Sequence, residues 1–276
     1  MSLNRVTKKD PCRACQRPDW CMQDEYRTLC MRAESPHPLT LKSGEIGWWH
    51  KFGEAPKGWR PPVKVPEPPK VDGLPLMRRW QSQTKPEFIR GHAEQLGVKA
   101  YALIEMGVAW ASEEEAFAWP MRNSTGNIQG IRLRSVDGKK WSVTGAGSGI
   151  FLPWCEPQMT VFLPEGPTDT AALLSLNLYA IGRPSNSGGV NELNATIKRL
   201  GIRRAVVLSD NDEDKFRPDG SMYNPGHDGA VRLSEQLEIP NCIITLPTKD
   251  SREFLGAGGT REMLESLTLN CIWRNP

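Results

Sequence analysis

The sequence predicts an α/β domain built on a parallel sheet, preceded by a small α+β segment and a cysteine-rich head. Three observations predict it. Residues 159–269 alternate strand-like and helix-like text four times, three of the four strands run into acids, and four of the seven cysteines fall between positions 12 and 30. Repeated strand–helix alternation requires right-handed crossovers and a mostly parallel sheet covered by helices.

The head, residues 1–60, carries Cys12, Cys15, Cys21 and Cys30 and shows little helical or strand periodicity. So short a segment buries too little apolar surface to fold unaided, and a metal staple supplies what is missing. Four thiolates suffice for a closed tetrahedral zinc site, with His37 as an alternative ligand. Trp20, Trp48, Trp49 and Arg32 suit either stacking on unpaired bases or packing around the metal. The spacing departs from a paired CxxC…CxxC ribbon.

Residues 61–75 hold six prolines and read as an extended linker. Residues 76–158 open with helical text, "KPEFIRGHAEQLGV" and "KAYALIEMGVAWA", and turn into three strands, "AFAWPMRNSTGNIQGIRLRSVDGKKWSVTG". The turn signals NSTGN and VDGKK make this an antiparallel meander. Arg132 and Arg134 alternate along one strand and therefore share a face.

In the last segment, residues 159–276, strands are expected at "TVFLPEG", "LYAIGRPS", "RRAVVLSDND" and "NCIITLP". Helices are expected at "TDTAALLSLN", "VNELNATIKRLG", "DGAVRLSEQL" and "REFLGAGGTREMLESL". Ligands of open parallel sheets bind at the carboxyl ends of the strands. Glu165, Asp210, Asp212 and Asp250 all follow strands, so adjacent strands would gather them at one edge. Oxygen ligands of this kind suit magnesium or manganese. Each acid could instead form a turn or cap a helix, but four mutually repelling carboxylates at one edge favour a metal site.

Charge is split along the chain. Residues 1–158 carry 23 Lys and Arg against 17 Asp and Glu, and residues 159–276 carry 12 against 15. A basic front half suits a polyanion and an acidic back half suits metal. No apolar run approaches the roughly 18 residues of a membrane span, and the N-terminus lacks an apolar signal core, so a cytoplasmic protein with no membrane partner is expected.

"EGPTD" at 165–169 and "SDND" at 209–212, each after a strand, resemble the TOPRIM domain, and "KDSREFL" at 249–255 resembles the segment that follows the next strand in primases. "PMRNSTGNIQGIRLRSVDGKK" resembles the basic subdomain that precedes TOPRIM in DNA primases of the bacterial and phage, DnaG-like, type. The resemblance implies a zinc module, a basic α+β subdomain and a TOPRIM catalytic domain in that order. It implies template-directed synthesis of short RNA primers from nucleoside triphosphates on single-stranded DNA, with Glu165, Asp210 and Asp212 holding two divalent metals and Asp250 assisting. Arg122, Arg132, Arg134, Lys139, Lys140 and Lys249 would then face nucleic acid or nucleotide, and Asp169 would cap its helix. No P-loop is present, so a replicative helicase would be a separate partner, a layout that suits a phage or mobile element.

One departure from the pattern is the stretch "EDKFRPDGSMYNPGH" after the Asp pair, which leaves open the roles of Asp214, Asp219, His227 and Asp228. The alternatives are a TOPRIM nuclease, which would not need the zinc and basic segments, and a non-catalytic adaptor that binds single-stranded DNA, which would not need the four acids.

Overall fold

The computed structural model describes residues 3–41, 45–53, 71–186, 188–216 and 222–276. Linker residues 61–70 and Asp219 lie outside the described residues. The chain divides into two compact units: Met1–Pro69 with Lys215–Tyr223, and Lys70–Asp214 with Asn224–Pro276.

The first unit is a five-stranded antiparallel sheet: β1 (Asn4–Arg5), β2 (Met22–Gln23), β3 (Arg27–Cys30), β4 (Pro38–Thr40) and β5 (Ile46–Lys51), in the order β1-β2-β3-β5-β4. The sequence showed no such periodicity, because most of these strands are shorter than one full alternation of side chains. Its core is largely sulfur: Val6, Cys12, Cys21 and Cys30 are buried, with Ala14, Cys15, Met31 and Ala33 against them. Asp24 pins the β2–β3 turn by accepting from the amides of Tyr26 and Arg27 at 2.9 and 3.0 Å. Trp48 and Trp49 are half-buried, and the Arg27 guanidinium lies 4.4 Å from the Trp49 ring.

The second unit begins with α1 (Gly73–Gln83), α2 (Pro86–Leu96) and α3 (Ala100–Glu105), followed by an antiparallel sheet in the order β6-β7-β8-β9 (Ala109–Ala111, Ala116–Arg122, Ile128–Ser135, Lys140–Ser142). Helix α1 starts inside the proline-rich stretch, where Asp72 caps it by accepting from Leu74 N. Pro120 is tolerated within β7 because β6 pairs only as far as Ala118, leaving that flank with no amide to satisfy.

Strands β10 (Thr160–Leu163), β11 (Arg204–Ser209) and β14 (Asn241–Thr245) form a parallel sheet, with α4 (Gly166–Ser175), α5 (Val190–Leu200) and α6 (Pro225–Gln236) as crossovers. The expected strand at 178–185 is reduced to single parallel bridges, Ala180 to Phe162 and Arg183 to Glu165. The last expected helix is two: α7 (Ser251–Gly256) and α8 (Arg261–Leu269), broken at the "AGG" stretch and restarted where Thr260 accepts from Met263 N. Ile150 and Phe151 join the two sheets, bridging Arg122 on one side and Gly182 on the other.

Helix α4 is buried all round, from Pro167 to Ser175. Ala171, Ala172 and Leu174 pack with Leu103, Phe117, Trp119 and Met121, whereas Leu173 packs with Phe162, Val206 and Leu208. One helix thus fills the space between the two sheets, which is why it reads as apolar without a polar face.

The insertion after Asp214 forms a hairpin, β12 (Lys215–Phe216) with β13 (Met222–Tyr223).

Candidate active site

The acids stand at the carboxyl ends of adjacent parallel strands, all within the second unit. Glu165 follows β10, and Gly166, at φ +79°, turns the chain out of the strand into α4. The Glu165 strand end is laddered to Arg183, with Gly166 N donating to Arg183 O at 2.9 Å and Arg183 N to Pro164 O at 3.0 Å. Asp210 and Asp212 follow β11, and Asn211 N donates to Lys249 O at 2.9 Å, tying that end to the segment after β14. Asp250 caps α7, its Oδ1 accepting from Glu253 N at 2.8 Å.

The start of α6 locks the Asp pair from the other side. A Cβ on Gly226 would stand 2.2 Å from the Asp210 carbonyl oxygen, so only glycine lets the helix come this close. Asn224 accepts from His227 N at 3.0 Å and donates through Nδ2 to Asp212 O at 2.7 Å and to Asp214 Oδ1 at 3.0 Å. Asp214 is thereby spent on the neck of the insertion.

Electrostatics show the convergence. Burial pushes the Asp210 carboxyl up to about 8, with Glu165 and Asp169 adding to the rise and Arg183 opposing it. Burial also raises Glu165, again against Arg183 and with Asp212 adding to the rise. Asp169 rises to about 6 through burial and the charge of Asp250, against Arg252 and Lys140. Desolvation and like charges are the forces a bound cation would relieve. Among the described residues, no three carboxylates bring their oxygens within 4.8 Å of one another, as the cysteine sulfurs do. A magnesium-type ion held through one or two carboxylates, with waters and substrate phosphates as its other ligands, does not require three in contact.

Asp169 departs from expectation. It does not cap its own helix: it is 8% exposed and its Oδ1 accepts from Arg252 N at 3.1 Å, on the first turn of α7. Its position four residues after Glu165, on one face of α4, is the signal that could have placed it with the acids. Arg183 and Arg252 were also missed.

The basic residues divide. Arg132 donates through Nη2 to Pro184 O at 3.2 Å, and its charge acts on Glu165. Arg134 lies near Arg252 and Asp169, and Lys140 acts on both Glu165 and Asp169. These three line the acid edge. Arg122 stands apart from it: it is 2% exposed, donates to Gly126 O at 3.1 Å and lies 4.1 Å from the ring centre of the exposed Trp154. Burial lowers it to about 10. Lys139 is exposed beside Trp141, and the side chain of Lys249 is exposed.

In the first unit, the sulfurs of Cys12, Cys15, Cys21 and Cys30 lie within 4.8 Å of one another, with Cys15–Cys21 and Cys21–Cys30 both at 3.7 Å. The edge of a zinc–thiolate tetrahedron with 2.3 Å bonds is about 3.8 Å, so this donor set fits zinc. Amides support the sulfurs from behind: Ala33 N donates to Cys30 Sγ at 3.1 Å and Met31 N to Cys21 Sγ at 3.4 Å. His37 is not part of the group. Of the other three cysteines, Cys242 and Cys271 are joined as a disulfide and Cys155 is free.

No family profile matches the sequence, and no curated protein matches it. Solved structures do. A DnaG catalytic core superposes with a TM-score of 0.55 at 15% identity, over 72% of this chain and 79% of that one. The zinc-binding and RNA polymerase domains of the Aquifex aeolicus primase superpose at 0.56 and 13%, over 72% and 60%. The primase fragment of the bacteriophage T7 primase-helicase superposes at 0.51 and 16%, over 97% of this chain and all of that one. No helix among the described residues is long and apolar enough to cross a membrane. The chain has the fold of a DnaG-type primase catalytic core, with a four-cysteine cluster near its N-terminus.

Proposed function

We propose that the protein is a DNA-directed primase that synthesises short RNA primers on single-stranded DNA through a TOPRIM acid cluster. The observation that carries the reading is the meeting of Glu165, Asp169, Asp210 and Asp212 at adjacent strand ends, beside Arg132, Arg134 and Lys140. One surface then offers oxygen ligands for cations and guanidinium groups for phosphate, which template-directed nucleotidyl transfer needs together. A TOPRIM nuclease would need only the acids. The similarity to a DnaG catalytic domain solved with single-stranded DNA, at a TM-score of 0.55 and 13% identity, agrees with this choice.

Glu165, Asp210 and Asp212 would hold magnesium or manganese, with Asp169 and Asp250 behind them. When bound, the divalent cations would lower the pKa of the primer 3′-hydroxyl and neutralise the leaving pyrophosphate. Arg132, Arg134 and Lys140 orient the incoming triphosphate and the template phosphates. Asn224 and Gly226 fix the backbone at Asp212 and Asp210 against the start of α6. Cys12, Cys15, Cys21 and Cys30 would hold zinc, which folds the head that engages template. The domain borders at 60, 75 and 158, cytoplasmic residence and a separate helicase partner belong to the same proposal.

The test is synthesis on single-stranded DNA with labelled ribonucleoside triphosphates and magnesium or manganese, with and without Asp210→Asn. Template-dependent oligoribonucleotides that vanish in the variant support the primase. Shortened DNA without synthesis moves the reading to the nuclease, and binding without either activity moves it to the adaptor.

A further inference from the structure

Trp154 is 65% exposed, yet its ring is not free to swing. The Arg122 guanidinium lies over one face, 4.1 Å from the ring centre, and Trp154 N donates to Glu105 O, at the end of α3, at 2.8 Å. Arg122 is fixed in turn. It ends β7, where its backbone exchanges hydrogen bonds with Ile150 at 2.7 and 2.9 Å, and its Nη1 donates to Gly126 O at 3.1 Å. A Cβ on Gly107, just past α3, would stand 3.3 Å from Arg122 Nη2. The end of α3 therefore seats both the cation and the ring.

The guanidinium is short of partners. Arg122 is 2% exposed, its Nε is buried with no hydrogen-bond partner, and no ion pair among the described residues includes it. A buried guanidinium without a counter-charge is costly, and one aromatic face offsets only part of that cost. Trp154 thus holds an indole with one face on a cation and the other in solvent. An occupant that is aromatic and anionic at once meets both deficits. An unpaired nucleotide is such an occupant, its base taking the free ring face and its phosphate bringing the missing negative charge. An aromatic peptide side chain would bring only the ring.

We propose that Trp154, seated on Arg122, is a stacking platform for an unpaired base of single-stranded nucleic acid. Taking that strand to be the template rests on the primase reading. Arg122 stands apart from the acid edge, so the base that stacks here belongs to the strand and not to the incoming triphosphate. Because the ring is already held, stacking on it costs little side-chain freedom.

Two measurements test this on the full chain. In the first, fluorescence anisotropy follows binding of a labelled oligodeoxythymidine, and of an abasic strand of equal length and charge, by wild type, Trp154→Ala and Trp154→Tyr. Trp154→Ala should bind oligodeoxythymidine about tenfold more weakly, and Trp154→Tyr within about threefold of wild type. Both variants should bind the abasic strand as wild type does, which mere loss of structure would not allow. Equal losses on the two strands, or thymine-strand binding by Trp154→Ala within about twofold of wild type, overturn the proposal. Displacement of the oligonucleotide by excess ATP from wild type, but not from Trp154→Ala, would make the occupant a free nucleotide and overturn it as well.

The second uses the unaltered protein, so it decides the matter if Trp154→Ala does not fold. A single-stranded oligonucleotide carrying iodouracil is irradiated with wild type, and the crosslinked residue is found by mass spectrometry. A crosslink at Trp154 is the expected result, and crosslinks confined to other residues overturn the proposal. Primer synthesis, read in parallel, separates the two readings. Trp154-dependent binding without any RNA product removes the primase and leaves the platform, whereas Asp210-dependent synthesis with Trp154-independent binding does the reverse.

Discussion

Cys12, Cys15, Cys21 and Cys30 come from 19 residues of chain and bring their sulfurs within 4.8 Å of one another. Glu165, Asp169, Asp210, Asp212 and Asp250 come from strand and helix ends up to 85 residues apart and do not close so far. The thiols are held from behind by amide donors. The acids instead have cations among them, with Arg183 buried beneath and Arg132, Lys140 and Arg252 alongside. On the proposed reading the difference follows from two tasks: a structural ion is bound once and enclosed, whereas a catalytic site would have to tolerate its own charge as cations and triphosphates come and go.

Loss of zinc should separate the two clusters most sharply. Metal binding supplies on the order of 10 kcal/mol to small thiolate domains, so Cys21→Ser should lose zinc and the ordered environment of Trp48 and Trp49 in near-ultraviolet circular dichroism. Manganese binding should persist in that variant. Manganese binding lost along with zinc would mean that the clusters do not fold independently.

Next in size, Asp210→Asn should lower primer synthesis roughly 10³-fold, about 4 kcal/mol of transition-state stabilisation, with zinc content unchanged by elemental analysis. A variant that retains a tenth of wild-type synthesis would remove Asp210 from the chemistry.

Smaller still, Gly226→Ala drives a methyl group into the Asp210 carbonyl. Overpacking of this kind costs about 1–3 kcal/mol, read as a lower urea midpoint together with weaker manganese binding. Unchanged manganese binding would show that the acid site does not depend on α6.

Smallest is a pH effect from a residue that belongs to neither cluster. His92 is buried between Phe117 and Trp119, and burial lowers it from 6.5 to about 4. The unfolded chain therefore takes up a proton first as pH falls, so stability declines from about pH 6.5 towards 4. Between pH 7.5 and 5 this contributes roughly 2 kcal/mol. His92→Phe, which keeps the ring and removes the titration, should flatten that part of the urea-midpoint profile. An equally steep profile in the variant would assign the dependence to other groups.

The two clusters also differ in how openly they stand in the sequence. The cysteines are local, so spacing alone gathers them. The alternation of strand and helix was legible because β10, β11 and β14 are continuous apolar runs, as strands buried on both faces must be. The 178–185 segment does run alongside β10, exchanging backbone hydrogen bonds with Phe162, Pro164 and Gly166, but as isolated bridges rather than a continuous strand. Helix α1 was hidden by Gly73 and Pro75, whose helical use at a first turn looks the same on paper as linker. The five-stranded sheet of the first unit escaped because its strands run from two to six residues.

Arg183 and Arg252 escaped for a different reason. An arginine after a strand or at a helix start is ordinarily solvated, and only tertiary packing tells that one of them is enclosed. Asp169 showed its helical spacing from Glu165, but the helix that it receives from lies 83 residues further on.

Helix α4 has a mechanical consequence. Walled by both sheets from Pro167 to Ser175, it has no free face on which to fray, so the amides of Leu173 and Leu174 should exchange with solvent only through global opening of the second unit. Glu165 and Asp169 are therefore mounted at the start of a helix that has no exposed face from Pro167 to Ser175. On the proposed reading, what yields when a nucleotide enters is expected on the other side of the cluster, among the residues that α6 and α7 carry.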